Sequence, residues 1–212
     1  MKKTFSFSAL AAVALAAGLA SCEGGDKNKG GENNNSSPSN RIEAPVTVTD
    51  SEAASIVMVK AIAYIPSQDG SATLATGSYT NGKLTIELPA TPEAEFLQSF
   101  TEEEMEGFIT ISDNAAKKTS HVILIAYDAN GYTIGEFKLI GSNTTTDVEG
   151  GYTYADRAFT ISGSEGNHTV SLSFKKGWNI TYIVETETSE LYTTTKPGGI
   201  NVQWVYNSLT GN

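Results

Sequence analysis

The stretch HTVSLSFKKGWNITYIVETE, His168–Glu187, decides the fold class. Val170, Leu172 and Phe174 alternate with polar residues, and after Lys175–Gly177 the alternation resumes with Trp178, Ile180, Tyr182 and Val184. A period of two places every second side chain on one face of a strand. Two such runs separated by a short Lys-Lys-Gly segment predict a hairpin with a one-sided apolar stripe, as in an antiparallel sheet.

The same signal extends outward in both directions. INVQWVY, Ile200–Tyr206, predicts a last strand with Val202, Trp204 and Tyr206 inward, and YTYADRAFTISG, Tyr152–Gly163, predicts two short strands. The linker Gly141–Gly151 is polar and reads as a separator of two halves or as a sandwich crossover. AYDANGYTIGEF, Ala126–Phe137, predicts a hairpin turning at Ala129–Gly131, and a change of apolar phase at Gly135 predicts a β-bulge there. TNG, Thr80–Gly82, lies between the runs Ser71–Tyr79 and Lys83–Leu88, and Asn-Gly in that setting is a strong hairpin signal. Ser55–Ile65 is apolar on both faces and predicts a central strand.

One segment departs from this pattern. In TPEAEFLQSFTEEEMEGF, Thr91 suits a helix cap, Pro92 its first turn, and Phe96, Leu97 and Phe100 one face. A short helix is therefore expected near 92–104. The predicted fold is all-β, an antiparallel β-sandwich in one or two sandwich-like halves, with that helix packed on an edge.

The amino terminus carries the clearest motif. Met1-Lys2-Lys3 precedes an apolar run to about Leu19, shorter than the roughly 20 residues a spanning helix needs. Leu19-Ala20-Ser21-Cys22 then has the form of a bacterial lipobox. The expectation is a lipoprotein signal peptide over 1–21, lipidation at Cys22, a flexible tether over 22–44, and a β-sandwich domain over 45–212 with a subdivision near 141–151 left open. Two or three acyl chains hold a protein to a membrane where a single one does not. Cys22 is the single cysteine, so once acylated it leaves no thiol for a disulfide. Cys22–Asn40 is rich in Gly, Asn and Ser and has too little apolar surface to offset ordering.

The formal charge is −10, and loss of Lys2 and Lys3 with the leader takes it to −12. Nucleic acid and anionic lipid surfaces are bound by clustered Lys and Arg, so an acidic body argues against nucleic acid as a partner.

The lipobox, the Asn-rich tether, YTYADRAFTISG and LSFKKGWN together resemble small Bacteroidetes-type lipoproteins with β-sandwich domains. Glu23 and Asp26, close behind Cys22, resemble the acidic signal that sends such lipoproteins to the cell surface. The resemblance implies outer-membrane anchoring facing the cell surface, with the periplasmic face as the alternative. Some members of the wider class are glycan-uptake components or fimbrial subunits. It carries no catalytic motif to align.

The chain offers little for catalysis. His121 and His168 fall in no HExxH or Cys/His cluster, so no metal site is assigned. Asp128, Asn130 and Glu136 have the wrong spacing for an EF-hand and suit a turn. There is no G-x-S-x-G elbow, and the run Glu102, Glu103, Glu104, Glu106 reads as a solvated face. No catalytic residue and no cofactor are assigned. Carbohydrate binding has more support, since aromatic rings stack on sugars while amides and carboxylates bond hydroxyls. Tyr152, Tyr154, Trp178 and Trp204 are candidates, although the two tryptophans lie on inward stripes. Tyr192, in the polar ELYTTTKPGG, is the aromatic expected to be exposed and is the ligand-binding candidate. The expected function is a non-enzymatic module binding an extracellular glycan or protein through the loops Ser67–Ser71, Gly141–Gly151 and Ser189–Gly199. The alternative is a structural subunit of a fimbrial or envelope complex. The sequence sets no oligomeric state.

Overall fold

The computed structural model describes residues 40–48, 51–100 and 107–209. Cys22 with the leader and most of the tether, and the acidic run Glu102–Glu106, lie outside the described residues.

The described chain is all-β. In order the strands are β1 (Arg41–Val48), β2 (Met58–Ile65), β3 (Gly70–Thr80), β4 (Lys83–Glu87), β5 (Gln98–Ser99), β6 (Ile109–Ile111), β7 (Lys117–Lys118) and β8 (Ile123–Tyr127). They continue with β9 (Thr133–Ser142), β10 (Thr146–Ala155), β11 (Phe159–Glu165), β12 (His168–Phe174), β13 (Gly177–Thr186), β14 (Glu190–Thr193) and β15 (Gln203–Ser208). β1 begins at Arg41, inside the segment read as tether, because Ile42 and Ala44 are fully buried opposite Ile86 and Leu84.

Seven strands close a barrel in the order β15-β1-β4-β3-β2-β8-β9, with β15 returning to β9. Closure depends on a parallel pairing of β1 with β15, Val46–Val48 against Trp204–Tyr206. A purely antiparallel sandwich is therefore not what these strands form. The barrel interior follows the period of two: Val59 and Ala61, Leu84 and Ile86, Leu124 and Ala126, Phe137 and Leu139, Trp204 and Tyr206 are all buried. Alanines at 44, 61 and 126 leave room for the three aromatic rings in that set. Phe137 and Tyr206 meet at 5.5 Å between centroids.

The local turn signals act as expected. Asn81 (φ 53°) and Gly82 (φ 77°) both adopt positive φ, the backbone of a tight hairpin turn between β3 and β4. Asp128 Oδ1 accepts from the Asn130 and Tyr132 amides at 2.9 and 2.8 Å, which shapes the β8–β9 turn. On β9 the register skips Ile134 between Thr133 and Gly135, a bulge one residue from the predicted position.

The second half is a sheet grown from the barrel wall. The far end of β9, Leu139–Ser142, pairs with β10, and the order runs on β10-β13-β14-β12-β11-β6. Residues 141–151 are thus the end of β9, a turn and the start of β10, not a linker. β10 and β13 are covered on both faces. Tyr152, Tyr154, Trp178 and Tyr182 face the barrel cluster, and Trp178 Nε1 donates to the Pro89 carbonyl at 2.8 Å. On the other face Ala155, Ile183 and Tyr192 join Phe159, Ile161, Val170 and Phe174 in a second cluster.

The hairpin expected across Lys175–Gly177 and the helix expected near 92–104 both give way to other structure. β12 and β13 do not form a hairpin, because β14 lies between them, antiparallel to β13 and parallel to β12. Their apolar stripes enter different cores, Val170 and Phe174 the second and Trp178 and Tyr182 the first. The Asn179 amide holds the connection open, bonding the Lys175 amide and carbonyl and the Gly177 carbonyl at 2.8–2.9 Å. The helix near 92–104 is absent from its described part, Pro92–Phe100, which holds a single 3-10 turn at Ala94–Phe96 followed by β5. Phe96, Leu97 and Phe100 pack against three separate clusters, which one helical face cannot do.

Candidate functional site

Sheet register builds the candidate site. Directly paired residues place their side chains on the same face. Ser142, Asp147, Glu185, Glu190, His168 and Glu165 are linked in one row across β9, β10, β13, β14, β12 and β11. The adjacent row runs Gln203, Ile140, Glu149, Ile183, Tyr192 and Val170. The first row is polar and the second mixed, so a groove with a carboxylate rim and an apolar floor follows from the pairing. Its volume is about 710 Å³, and its walls include Asp147, Glu149, Glu185, Glu190, Asn201 and Gln203.

The charge balance there is negative. Lys138, next to Ile140 and Val205 by strand alternation, bonds Glu136 at 2.9 Å. Its burial opposes the ammonium, but the bond to Glu136 and the charges of Glu149 and Glu136 prevail and raise its pKa above the ordinary lysine value. Among the described residues no three His, Cys, Asp or Glu side chains converge as a metal site would require. The groove carboxylates are spaced along it instead.

Tyr192 lies in this groove, but not as an exposed ring. It is 8% exposed and packed in the second cluster. Its hydroxyl donates to Glu190 Oε1 at 2.7 Å, while Glu190 Oε2 meets His168 Nδ1. Burial, then the bond to Glu190, raises the phenol's pKa well above its usual value. Glu190 is thus fixed from both sides. Tyr152, Tyr154, Trp178 and Trp204 are core residues facing away from the groove. Of the three expected loops, Gly141–Gly151 and Ser189–Gly199 converge on the groove, and Ser67–Ser71 does not line it.

A smaller cavity adjoins the groove at Ile183 and Tyr192, which line both. It measures about 70 Å³ and is walled mainly by Phe100, Ile161, Val170 and Phe174, with Lys118, Thr153, Thr181 and His121 as charged or polar members. His121 comes from the segment that runs beside β10, where the Thr119 and Val122 amides donate to the Tyr154 and Tyr152 carbonyls. Its imidazole crosses β10 at Gly151. A Cβ there would lie 1.2 Å from Nε2, so only glycine admits the ring. Nε2 is buried with no hydrogen-bond partner. Burial, then the Lys118 charge, lowers the His121 pKa to about 4 against the opposing effect of a bond to the Gly150 carbonyl.

Sequence reading missed His121, Asp147, Glu149, Glu185, Glu190, Asn201 and Gln203. One local signal existed for His121: the pair Gly150-Gly151 inside a strand marks close approach of another group. The carboxylate row had none, because it is assembled from six strands.

Comparison with known protein families, curated proteins and solved structures finds no match.

Proposed function

We propose that the chain is a non-enzymatic binding module, anchored through lipid on Cys22 to the outer membrane and facing the cell surface, whose groove captures an extracellular glycan. The observation that carries this reading is the groove's composition on a paired sheet. Asp147, Glu149, Glu185 and Glu190 accept hydrogen bonds, the Asn201 and Gln203 amides both donate and accept, and Ile140, Ile183 and Val205 supply apolar floor. Sugars present that alternation of hydroxyls and C–H faces. A groove in a sheet holds these groups in place with little reorganisation on binding. No cofactor enters this reading.

A glycan array probed with the intact protein in detergent tests it, alongside Glu185→Gln and Asn201→Ala. Binding that the two substitutions weaken supports the groove. An array on which nothing binds, or binding indifferent to both, counts against it. Anchoring is tested separately: acyl mass on Cys22 supports it, and an unmodified thiol in the native product refutes it.

One observation favours the structural-subunit alternative. Gly70–Thr76 of β3 pairs with β2, and the β3–β4 pairing covers only Ser78–Thr80. Along Gly70–Thr76 no second strand is paired among the described residues, and the segment contains neither charge nor proline. Such an edge accepts an added strand. Crosslinking on intact cells distinguishes the readings, because a subunit loses its oligomers with Thr73→Pro and a monomeric glycan binder does not.

A further inference from the structure

The chain carries 24 acidic residues against 14 basic ones, yet one pocket gathers two lysines and, among the described residues, no carboxylate. It measures about 320 Å³ and is lined by Lys175 and Lys196, by Ser173 and Thr194, and by Ile180 and Tyr182. Ile180 and Tyr182 are on the opposite face of β13 from Ile183 and Glu185, which line the groove. The pocket is therefore separate from the groove and of opposite charge.

Local bonds fix the backbone from which these groups project. The Lys175 amide donates to Asn179 Oδ1 at 2.9 Å, and Asn179 Nδ2 donates to the Lys175 carbonyl at 2.8 Å. The Ser173 amide donates to Thr194 Oγ1 at 2.9 Å, which ties the end of β12 to the end of β14 and leaves the Thr194 hydroxyl hydrogen to donate. Lys196 precedes Pro197, which restricts its backbone to extended conformations, and it makes no ion pair with the described residues. Two ammonium groups and two hydroxyls in a wall without carboxylates suit an anion. The protein's net negative charge does not cancel this, because screening at physiological salt confines its effect to about 8 Å. Inside the pocket the two lysines set the sign.

Size narrows the occupant. A cavity of about 150 Å³ takes benzene, and this one is about twice as large, enough for one sugar ring with its substituents. We infer that the pocket binds an acidic sugar unit, a hexose ring bearing a carboxylate or a sulfate, with the anionic group held by Lys175 and Lys196 and the ring over Ile180 and Tyr182. The sugar ring rests on the glycan reading of the protein, whereas the preference for an anion rests on this pocket alone. A neutral hexose meets the same hydroxyls and apolar floor but forms no charge-assisted bond to either lysine. Discrimination for the acidic sugar follows from that difference.

The test is calorimetric titration of the intact protein in detergent with methyl glucuronide, glucose 6-sulfate, neutral methyl glucoside and sodium sulfate. The expected result is that at least one acidic sugar binds about tenfold or more tighter than the neutral one, equivalent to about 1.4 kcal/mol, and that the difference shrinks as salt is raised. Which acidic sugar binds identifies the anionic group. Lys196→Met and Lys175→Met should each bring the acidic sugar towards the affinity of the neutral one, with thermal unfolding measured to confirm folding. Glu185→Gln, on the opposite face, should leave the preference unchanged. Equal affinities for acidic and neutral sugars, or a preference indifferent to both lysine substitutions, overturn the pocket and leave the groove reading intact. Sodium sulfate binding as tightly as the acidic sugars also overturns the proposal, because the ring then contributes nothing. If glycans on the array bind through the groove and neither acidic sugar binds here, this inference alone falls. If no sugar binds in either experiment, both fall.

Discussion

Acidifying the protein should remove stability in a window that belongs to His121. The unfolded chain binds a proton on this ring near pH 6.5, whereas the folded ring binds it only near pH 4 because it is desolvated and close to Lys118. Between those values the unfolded state carries more protons, so folding stability rises with pH. The contribution is fully present above about pH 6.5 and is lost progressively as pH falls to about 4. A shift of that size corresponds to about 3 kcal/mol at 1.36 kcal/mol per pKa unit, a large share of a typical domain's 5–15 kcal/mol or so. The assay is urea unfolding of the intact chain at several pH values from about 7 to about 4, for wild type and His121→Leu. Other titrating groups contribute nearly equally to both curves, so the difference isolates the imidazole. Wild type should lose about 3 kcal/mol more than the variant across the window. Parallel curves would show that the ring is solvated or protonated in the folded protein, and the account of its burial would fail.

Further outcomes follow from other contacts. Gly151→Ala places a methyl within 1.2 Å of Nε2 and should destabilise by about 1–3 kcal/mol in urea unfolding. His121→Ala in the same chain should recover much of the loss, since the clash requires both side chains. Asn179→Leu strips the Lys175 amide and the Lys175 and Gly177 carbonyls of their bonds, and should cost about 1–3 kcal/mol by thermal or urea unfolding. The Asp128 carboxyl is held below the usual range first by the Tyr132 amide, working against burial and with help from Asn130 and Gly131. Its stabilisation is therefore present above the unfolded carboxylate pKa and is lost only as pH falls below it. Asp128→Asn should flatten the stability curve below about pH 4 and leave the His121 window unchanged. Trp178→Phe removes the bond to the Pro89 carbonyl and should lower the melting temperature with the β-sheet circular dichroism retained.

What the chain reveals locally it reveals well. Asn81-Gly82 and Asp128–Gly131 fold their own hairpins, because positive φ and side-chain-to-amide bonds act within four or five residues. Alternation marks β15 and its inward Val202, Trp204 and Tyr206, because a strand's two faces are set by its own backbone. Alternation does not name the neighbour. Val170 and Trp178 begin equally clean stripes, yet β14 takes the edge between them and sends each stripe to a different core.

The candidate site was legible only through Tyr192 and two loops, and even Tyr192 is a buried anchor for Glu190 rather than an open platform. The sequence by itself determined an all-β chain with its local turns. Tertiary structure alone decided the closure of β1 on β15, the passage of the His121 ring over Gly151, and the row of carboxylates along the groove. The closure and the His121 crossing join residues at least 30 positions apart, and the row spans distant strands where Asp147 meets Glu185, although Glu185 and Glu190 face each other across a single turn. Their pairing is chosen by which edges and faces remain unfilled once the local hairpins have formed, and that information resides in the packed molecule as a whole.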